Sequence, residues 1–249
     1  MGKLSGKTAV VTGGAKGIGA AIARALGSDG AAVVVNYASD RTGAGRVVRE
    51  IAERGGKAVA IQGNVANEAD VRRLFEETAK AFGPVDILVN NAGIFAFGPL
   101  EEVTETEFHR QFNTNVLGPI QVTREALRHF RPGGGSVINV SSILSERAFP
   151  NAVIYASSKA AIDSVTRVLA LELGGRKIRV NAIAPGGVDT EGARSAGLSG
   201  GELEKVAIKR TPLGRFGHPD DIAHVAVFLA SDDAAWMTGE RLEVSGGYR

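Results

Sequence analysis

The stretch "TAVVTGGAKGIG", residues 8–19, decides the fold. A short β-branched run leads directly into a glycine-rich turn and then into a segment of helical length. Gly13, Gly17 and Gly19 let the chain turn tightly and let its amides approach an anionic group at the start of a helix, where the helix dipole favours negative charge. Their G-x-x-x-G-x-G spacing differs from the common G-x-G-x-x-G pattern. Taken alone, the turn therefore fits a nucleotide site and a mere tight connection about equally well.

The same alternation of segments continues along the chain. Further short runs rich in β-branched residues lie at 32–36, 58–62, 85–90, 136–141, 178–183 and 241–244. Segments of helical length separate them, including 18–26, 43–54, 68–81, 105–129 and 152–173. This order predicts an α/β protein with a doubly wound parallel sheet of seven strands and helices on both faces. No linker or internal repeat divides residues 1–249, so we expect a single domain.

The composition excludes several classes of function. Lysine and arginine number 29 against 27 aspartates and glutamates, and because the two signs are interspersed we expect no nucleic-acid partner. The apolar runs are far shorter than the roughly 20 residues of a membrane span, so we expect no membrane partner. The chain has no cysteine, which fits a cytoplasmic protein. The four histidines are scattered without ligand spacing, and we expect no metal site.

The segment "IYASSKAA", residues 154–161, places a phenol and an ammonium four positions apart on a predicted helix. Tyr155 and Lys159 therefore share one helical face. A cation about 4 Å from a phenol lowers the pKa of that phenol by about three units at an effective dielectric constant near 20, which suits a proton donor. The same spacing also occurs by chance on helices whose tyrosine is a core residue with a satisfied hydroxyl. The pair alone leaves both interpretations open.

Together, the motifs give the chain a resemblance to the short-chain dehydrogenase/reductase family over residues 8–247. The glycine turn resembles the family's cofactor turn, "NNAG" at 90–93 its fourth-strand motif, and "PGGVDT" at 185–190 its nicotinamide segment. Catalytic residues of the family are matched in order by Asn115, Ser142, Tyr155 and Lys159. The resemblance implies a single-domain Rossmann fold and hydride transfer between a nicotinamide cofactor and a carbonyl or alcohol.

The resemblance also implies a role for each matched residue. Tyr155 would be the general acid or base, Ser142 would orient the substrate oxygen, and Lys159 would assist the tyrosine and hold the nicotinamide ribose. Asn115 would relay protons through water. The cofactor would contact Gly13, Lys16, Gly17, Ile18, Gly19, Asn36, Tyr37, Ser39, Asn64, Val65, Asn91, Ala92, Gly93, Tyr155, Lys159, Pro185, Gly186, Val188 and Thr190. Asn64 could instead be a turn residue, and Thr190 could instead cap a helix.

The end of the second strand bears on the choice between NADP and NAD. A carboxylate at this point would bind the ribose 2′-hydroxyl of NAD, and the predicted strand ends instead in Asn36. A 2′-phosphate would meet Asn36 and Ser39, with Lys16 and Arg41 as nearby cations. We therefore expect NADP(H) to be preferred and NAD(H) to be used at lower efficiency. Asp40 opposes this prediction, because its carboxylate would repel the phosphate if it turned inward.

These inferences favour an NADPH-dependent carbonyl reductase that also acts in reverse as an alcohol dehydrogenase, on a small or medium ketone. A 3-oxoacyl-acyl-carrier-protein reductase and a sugar or polyol dehydrogenase of the glucose type are alternatives. A nucleotide-sensing regulator that lost the reaction is an alternative of a different class, and the intact serine, tyrosine and lysine argue against it. Residues 190–213 are expected to form a mobile substrate lid. The resemblance further implies a homotetramer, and acyl carrier protein is a less favoured partner.

Overall fold

Strands and helices alternate in the computed structural model, which describes residues 2–248. The strands are β1 (Thr8–Val11), β2 (Ala32–Tyr37), β3 (Lys57–Gln62), β4 (Ile87–Asn90), β5 (Gly135–Val140), β6 (Ile178–Pro185) and β7 (Arg241–Val244). The α-helices are α1 (Gly17–Ser28), α2 (Arg41–Glu53), α3 (Glu68–Phe82), α4 (Glu105–Phe112), α5 (Gly118–Ala126), α6 (Val153–Leu173), α7 (Glu191–Ser195), α8 (Glu202–Lys209) and α9 (Pro219–Ala230). Every predicted strand is present, and the strand ends differ from the prediction by at most two residues.

The seven strands form one parallel sheet in the order β3-β2-β1-β4-β5-β6-β7. Because alternate strand residues point to opposite faces, Ala9 and Val11 pack with α1, α2 and α9, whereas Val10 packs with α3, α5 and α6. Burial on both faces explains why the strand sequences are almost continuously apolar. The predicted doubly wound sheet with helices on both faces is confirmed.

The strand order reverses at β1, which pairs with β2 on one side and β4 on the other. In open α/β sheets, ligands bind beyond the carboxyl ends of the strands at such a reversal. The turn after β1 and the segments after β4, β5 and β6 all leave from this edge. The fold therefore carries the predicted site residues to one side of the molecule.

The segment 105–129 departs from the sequence prediction of one helical run. A π-helical turn, Asn113–Leu117, separates α4 from α5. A Cβ added to Gly118, the first residue of α5, would lie 2.9 Å from Cγ2 of Val65, so the helix packs closely against the chain after β3. The hydrophobic pattern of the segment does not show the extra residue that a π turn inserts, because the pattern continues on both sides.

α7 and α8 lie in the predicted lid, residues 190–213. Asp189, immediately before the lid, accepts hydrogen bonds from Arg194 at 2.8 and 2.6 Å and from Oγ of Ser199 at 2.7 Å. Trp236, five residues before the edge strand β7, is fully exposed and is the protein's single tryptophan. Within residues 2–248, none of the helices combines the length and the apolar character that a bilayer span requires.

Candidate active site

The turn between β1 and α1 packs closely against the end of β4. Gly13 has a φ of +62°, and a Cβ added to it would lie 2.9 Å from Cα of Ala92. A Cβ added to Gly19 would collide with Nδ2 of Asn91. That amide donates to the carbonyl oxygens of Thr12 and Gly13, both at 3.0 Å. Close packing thus requires glycine at positions 13 and 19, and Asn91 holds the turn in place.

The first amide of α1 faces a negative group of the protein itself. The N–H of Gly17 donates to Oε2 of Glu191 at 3.1 Å, and Glu191 is the first residue of α7. Lys16, immediately before α1, is exposed. A carboxylate at this amide shows that the start of α1 accommodates an anion, as a dinucleotide phosphate requires. The residues of the turn therefore fit a dinucleotide cofactor.

The position of Asn36 corrects the prediction that this side chain contacts a 2′-phosphate. β2 extends one residue further than predicted, to Tyr37, and Asn36 is buried. Its Nδ2 donates to the carbonyl oxygens of Ile61 and Gly63 at 3.3 and 3.0 Å, and its Oδ1 accepts from the N–H of Gly13 at 3.4 Å. Because both ends of the amide are engaged inside the protein, Asn36 supports the glycine turn and has no free hydrogen-bonding group directed at the surface.

Asp40, the residue that opposed an NADP preference, faces its own helix. Its Oδ1 accepts from the N–H of Gly43 at 2.9 Å and caps α2. Lys16, Ser39 and Arg41 are exposed. The surface beyond β2 therefore offers two cations and a hydroxyl, and the carboxylate among them is already engaged.

Asn64 and Val65 lie in the turn after β3. Oδ1 of Asn64 accepts a hydrogen bond from the N–H of Ala66 at 3.0 Å. Asn64 therefore acts as a turn residue, which was one of its two predicted roles. Val65 is buried in the core cluster beneath α5. Contact of these two residues with an adenine ring stays a prediction.

Tyr155 and Lys159 lie on one face of α6, beside the end of β5. The hydroxyl of Ser142, two residues past β5, hydrogen-bonds with the Tyr155 phenol and accepts from the N–H of Leu144 at 3.2 Å. Nζ of Lys159 donates to the carbonyl oxygen of Val140 at 2.8 Å and lies 5.7 Å from the centroid of the Tyr155 ring. The structure thus brings three of the predicted catalytic residues together.

Burial dominates the protonation of this pair. It raises the pKa of Tyr155, and the hydrogen bond with Ser142 opposes the rise only in part. Burial also lowers the pKa of Lys159 to about 8, although the negative charge of Asp163 acts in the opposite direction. The acidic tyrosine expected from the sequence is therefore not observed, because the loss of water outweighs the neighbouring cation. The phenol is held protonated, which is the form that donates a proton.

Asn115 is fixed by the π-helical turn that contains it. Its Oδ1 accepts from the N–H of Ile94 and its Nδ2 donates to the carbonyl oxygen of Ile94, both at 2.8 Å. Nδ2 also donates to Oγ of Ser158 at 3.0 Å, and that hydroxyl donates to the carbonyl oxygen of Tyr155 at 2.7 Å. π turns are frequent at functional sites. Asn115 thus ties the segment after β4 to α6, and its proton relay stays a prediction.

The segment 185–190 crosses the same edge of the sheet after β6. The N–H of Gly186 donates to the carbonyl oxygen of Val244 at 3.0 Å, and Val188 pairs with Gly217 in an isolated bridge. Oγ1 of Thr190 accepts a hydrogen bond from the N–H of Ala193 at 3.0 Å, so Thr190 caps α7. This is the helix-capping role that the sequence offered as an alternative to a cofactor contact. Contact of Thr190 with the nicotinamide amide stays a prediction.

A cavity of about 340 Å³ opens beside Tyr155. Its wall contains these predicted site residues: Ile18, Asn91, Gly93, Ser142, Tyr155, Lys159, Pro185, Gly186, Val188 and Thr190. The other predicted residues lie outside the wall: Gly13, Lys16, Gly17, Gly19, Asn36, Tyr37, Ser39, Asn64, Val65, Ala92 and Asn115. The lid contributes Leu198, Leu203 and Val206 together with Arg210, so the cavity is lined mainly by apolar side chains on that side.

Aromatic rings form much of the remaining wall. The ring centroid of Phe97 lies 5.5 Å from that of Phe95 and 6.0 Å from that of Phe149. It lies 5.8 Å from the centroid of Tyr155, with the two planes at 86°. Such edge-to-face packing orients the tyrosine ring. The arrangement leaves a space suited to a flat, apolar molecule next to the phenol.

Sequence reasoning missed several residues of the wall, among them Phe216 and Tyr248. A Cβ added to Gly187 would lie 2.5 Å from the Phe216 ring, so only glycine leaves room for this ring. The two glycines after Pro185 were therefore the sequence feature that could have indicated a bulky neighbour. The Tyr248 ring lies 5.2 Å from the guanidinium carbon of Arg210, at the end of α8. No motif marks Tyr248, because it reaches the cavity from a distant part of the chain.

The chain is similar to known oxidoreductases over nearly its whole length. The family model described as Enoyl-(Acyl carrier protein) reductase matches residues 13–249. An uncharacterized oxidoreductase of Methylorubrum extorquens is 52% identical over 249 residues, which is 100% of both chains. A versicolorin reductase of Emericella nidulans is 43% identical over 254 residues, covering 98% of this chain and 96% of the relative. The solved structure of the angucycline C-6 ketoreductase LanV with bound NADP gives a TM-score of 0.93 at 40% identity, covering 99% of this chain and 96% of the other.

Proposed function

The chain belongs to the short-chain dehydrogenase/reductase family of oxidoreductases, and we propose that it uses NADPH to reduce an apolar, aromatic ketone reversibly to a secondary alcohol. One observation carries the proposal: Tyr155 and Ser142 lie in the wall of an apolar cavity that also reaches Ile18, at the start of α1. A proton donor, an apolar substrate space and an anion-accepting turn therefore adjoin one another.

The residues of the chain supply the proton and the orientation. NADPH, when bound, supplies the hydride. As negative charge develops on the carbonyl oxygen, Tyr155 donates its phenolic proton to that oxygen, and the Ser142 hydroxyl holds the oxygen in line by a hydrogen bond. The resulting phenolate is stabilised by the same hydroxyl and by Lys159, whose pKa of about 8 keeps it mostly charged at neutral pH. Asn115 keeps the segment after β4 in position behind them.

The wall of the cavity favours aromatic ketones over sugars. A sugar needs a hydrogen-bond partner for each of its hydroxyls, and leaving them unpaired in an apolar pocket costs free energy. Phe95, Phe97, Phe149 and Phe216 instead offer ring faces and edges. The similarity to a versicolorin reductase supports a reductase, and the similarity to an angucycline C-6 ketoreductase supports a ketone as the substrate.

The surface beyond β2 supports a preference for NADPH. Lys16 and Arg41 supply positive charge there, and Asp40 is engaged in capping α2. The NADP bound to the angucycline ketoreductase points the same way. Lys16→Ala should weaken NADPH binding about tenfold, by removing one charge-assisted contact, and leave NADH binding unchanged. Titration of the two cofactors into both proteins measures this; equal loss for NADH and NADPH contradicts the role of Lys16.

The experiment that tests the proposed activity is a substrate panel. Purified protein is mixed with NADPH and with an aromatic polycyclic ketone, a small aliphatic ketone, an acyl thioester or a sugar, and cofactor oxidation is followed. We expect the highest kcat/KM with the aromatic ketone. A maximum with the acyl thioester would favour the 3-oxoacyl-carrier-protein alternative. No turnover with any compound, together with tight cofactor binding, would favour the nucleotide sensor.

Exposed apolar side chains support self-association into a homotetramer. Four large apolar side chains on α4, α5 and α6 are exposed: Phe108, Ile120, Val168 and Leu171. The contact between α4 and α6 does not cover them. Where such side chains form a contiguous patch on a monomer, the patch commonly marks a protein interface. Sedimentation equilibrium should give four times the chain mass of 25.9 kDa. A monomer at micromolar concentration would contradict the tetramer.

A further inference from the structure

Behind the catalytic residues lies a buried ion pair that the proposed chemistry does not use. Asp163 follows Lys159 by four residues, as Lys159 follows Tyr155, so the three side chains occupy one face of α6. Oδ2 of Asp163 accepts from Nε of Arg241, the first residue of β7, at 3.0 Å. The side chains are only 5% and 12% exposed. Burying two charges costs desolvation free energy that their attraction often fails to recover, so stability alone does not account for the pair.

The guanidinium of Arg241 also holds the turn that carries Ser142. Its Nη2 donates to the carbonyl oxygen of Ser142 at 3.3 Å, and its Nε donates to Oγ of Ser145 at 3.2 Å. Oγ of Ser145 donates in turn to the same Ser142 carbonyl at 2.8 Å. Arg241 therefore links this turn to Asp163, and through Asp163 to the helix of Tyr155.

We propose that Asp163 and Arg241 are positioning residues, which clamp the turn after β5 against α6 and so fix the Ser142 hydroxyl relative to the Tyr155 phenol. This inference rests on the proposed reductase function. The clamp acts through Ser142 and does not touch substrate. Misplacement of a reacting group by about 1 Å can lower a rate on the order of a hundredfold, so a loose turn would be felt in catalysis.

Charge adds a second consequence. Asp163 raises the pKa of Lys159 against the effect of burial. The charged groups that face the pair from neighbouring elements are Lys159 on α6 and, around Arg241, Glu146 at 3.2 Å and Glu243 at 4.0 Å. Glu243 is itself paired with Arg147. Removing the charge of Asp163 should therefore lower the pKa of Lys159 further and move the alkaline limb of the kcat/KM profile to lower pH.

The test separates positioning from stability by removing one partner or both. Asp163→Asn and Arg241→Met each leave a buried charge unpaired and should destabilise the fold, whereas the double variant Asp163→Leu/Arg241→Met removes both charges and should fold stably. If the pair positions Ser142, the double variant, assayed below the lowered pKa of Lys159 so that this lysine stays charged, keeps cofactor affinity and loses kcat about ten- to hundredfold. Normal kcat in a stable double variant would overturn the proposal.

A readout independent of turnover keeps the two proposals distinguishable. The N–H of Leu144 donates to the Ser142 hydroxyl, so its hydrogen exchange reports the order of the turn. Exchange at residues 142–147 should be faster in the double variant, even if the protein reduces no ketone at all. Unchanged exchange would overturn the clamp. Arg131→Met is the matched control, because Arg131 pairs with the part-buried Asp86 at the opposite end of the sheet and should affect neither kcat nor this exchange.

Discussion

The glycine-rich turn after β1 and the cavity beside Tyr155 lie at the same edge of the sheet, but different forces hold each of them in place. The turn is fixed by main-chain and amide hydrogen bonds, as at Asn91 and Asn36, and tolerates no Cβ at Gly13 or Gly19. The cavity is built from apolar rings and is lined on one side by the lid, whose first helix is tied to Asp189 through Arg194. The shape of the turn thus depends on backbone geometry, whereas the shape of the cavity depends on which side chains line it.

The largest expected effect lies at the boundary of the two regions. Tyr155→Phe removes the proposed proton donor and should lower kcat by about two to four orders of magnitude, while cofactor affinity and fold stay intact. Tyr248→Phe is the matched control, because it changes another phenol of the same cavity wall. Single-turnover kinetics and cofactor titration measure both variants. Near-normal turnover of Tyr155→Phe would remove this residue from the mechanism.

The same contrast explains how far the sequence could predict the site. Backbone requirements leave a spacing pattern, so the glycines, Asn91, and the Tyr155 and Lys159 pair could be found from sequence. The burial of the Asn36 side chain could not be predicted, because it depends on β2 extending one residue further than the sequence pattern indicates. The π turn at Asn115 and the approach of Tyr248 depend on tertiary packing, which no local pattern records.

A second prediction concerns the cost of burying Lys159. Its pKa is about 8 in the folded protein against 10.5 when solvated, so between these pH values the unfolded chain binds a proton that the folded chain does not. Stability therefore falls as the pH drops from 10.5 to about 8, and the full cost persists below that window. Lys159→Met should raise the free energy of unfolding at pH 7 by about 2 kcal/mol, after loss of its hydrogen bond is counted.

Denaturant unfolding at several pH values measures this change. The gain of Lys159→Met should vanish above pH 10.5, the ordinary pKa of the ammonium. The variant should also bind cofactor more weakly, because Lys159 is expected to hold the nicotinamide ribose. The charge of Lys159 would then serve cofactor binding although its burial lowers the stability of the fold. Lys205→Met, which changes an exposed lysine of the lid, should show none of these effects. A Lys159→Met protein less stable than the parent at pH 7 would contradict the prediction.

The third prediction addresses the cavity alone. Phe97→Ala removes a ring that contacts Tyr155, Phe95 and Phe149, and should raise KM for aromatic ketones about tenfold with cofactor affinity unchanged. Phe108→Ala, which removes a ring of α4 that lies outside the cavity wall, serves as the control. Steady-state kinetics with an aromatic and an aliphatic ketone measure the effect. An equal rise of KM for both substrates would argue against ring recognition.

The fourth prediction concerns the contact between the two regions. Glu191 of the lid occupies the Gly17 amide, so its charge opposes a phosphate at the start of α1. Glu191→Gln should therefore tighten cofactor binding, roughly threefold to tenfold. Glu202→Gln, at the start of α8, changes a lid carboxylate away from the turn and should leave affinity unaltered. Calorimetric titration decides the matter, and weaker binding by Glu191→Gln would refute it.

The smallest effect is expected within the lid. Asp189→Asn removes the charge that binds Arg194, and exposed ion pairs contribute little. KM for the ketone should rise by about threefold or less, and Tm should not change measurably. Hydrogen exchange over residues 190–213 should accelerate in this variant, as a mobile lid requires. A large fall in kcat would show that the lid has a fixed part in the chemistry.

The full exposure of Trp236 has a spectroscopic consequence. Because it is the only tryptophan and lies far into solvent, the intrinsic emission of a single subunit should resemble that of indole in water, and cofactor binding should leave its colour unchanged. A blue shift that grows with protein concentration would instead report that another molecule has covered the margin near β7. The protein thus carries a built-in fluorescent reporter of association, separate from the site where reduction is proposed to occur.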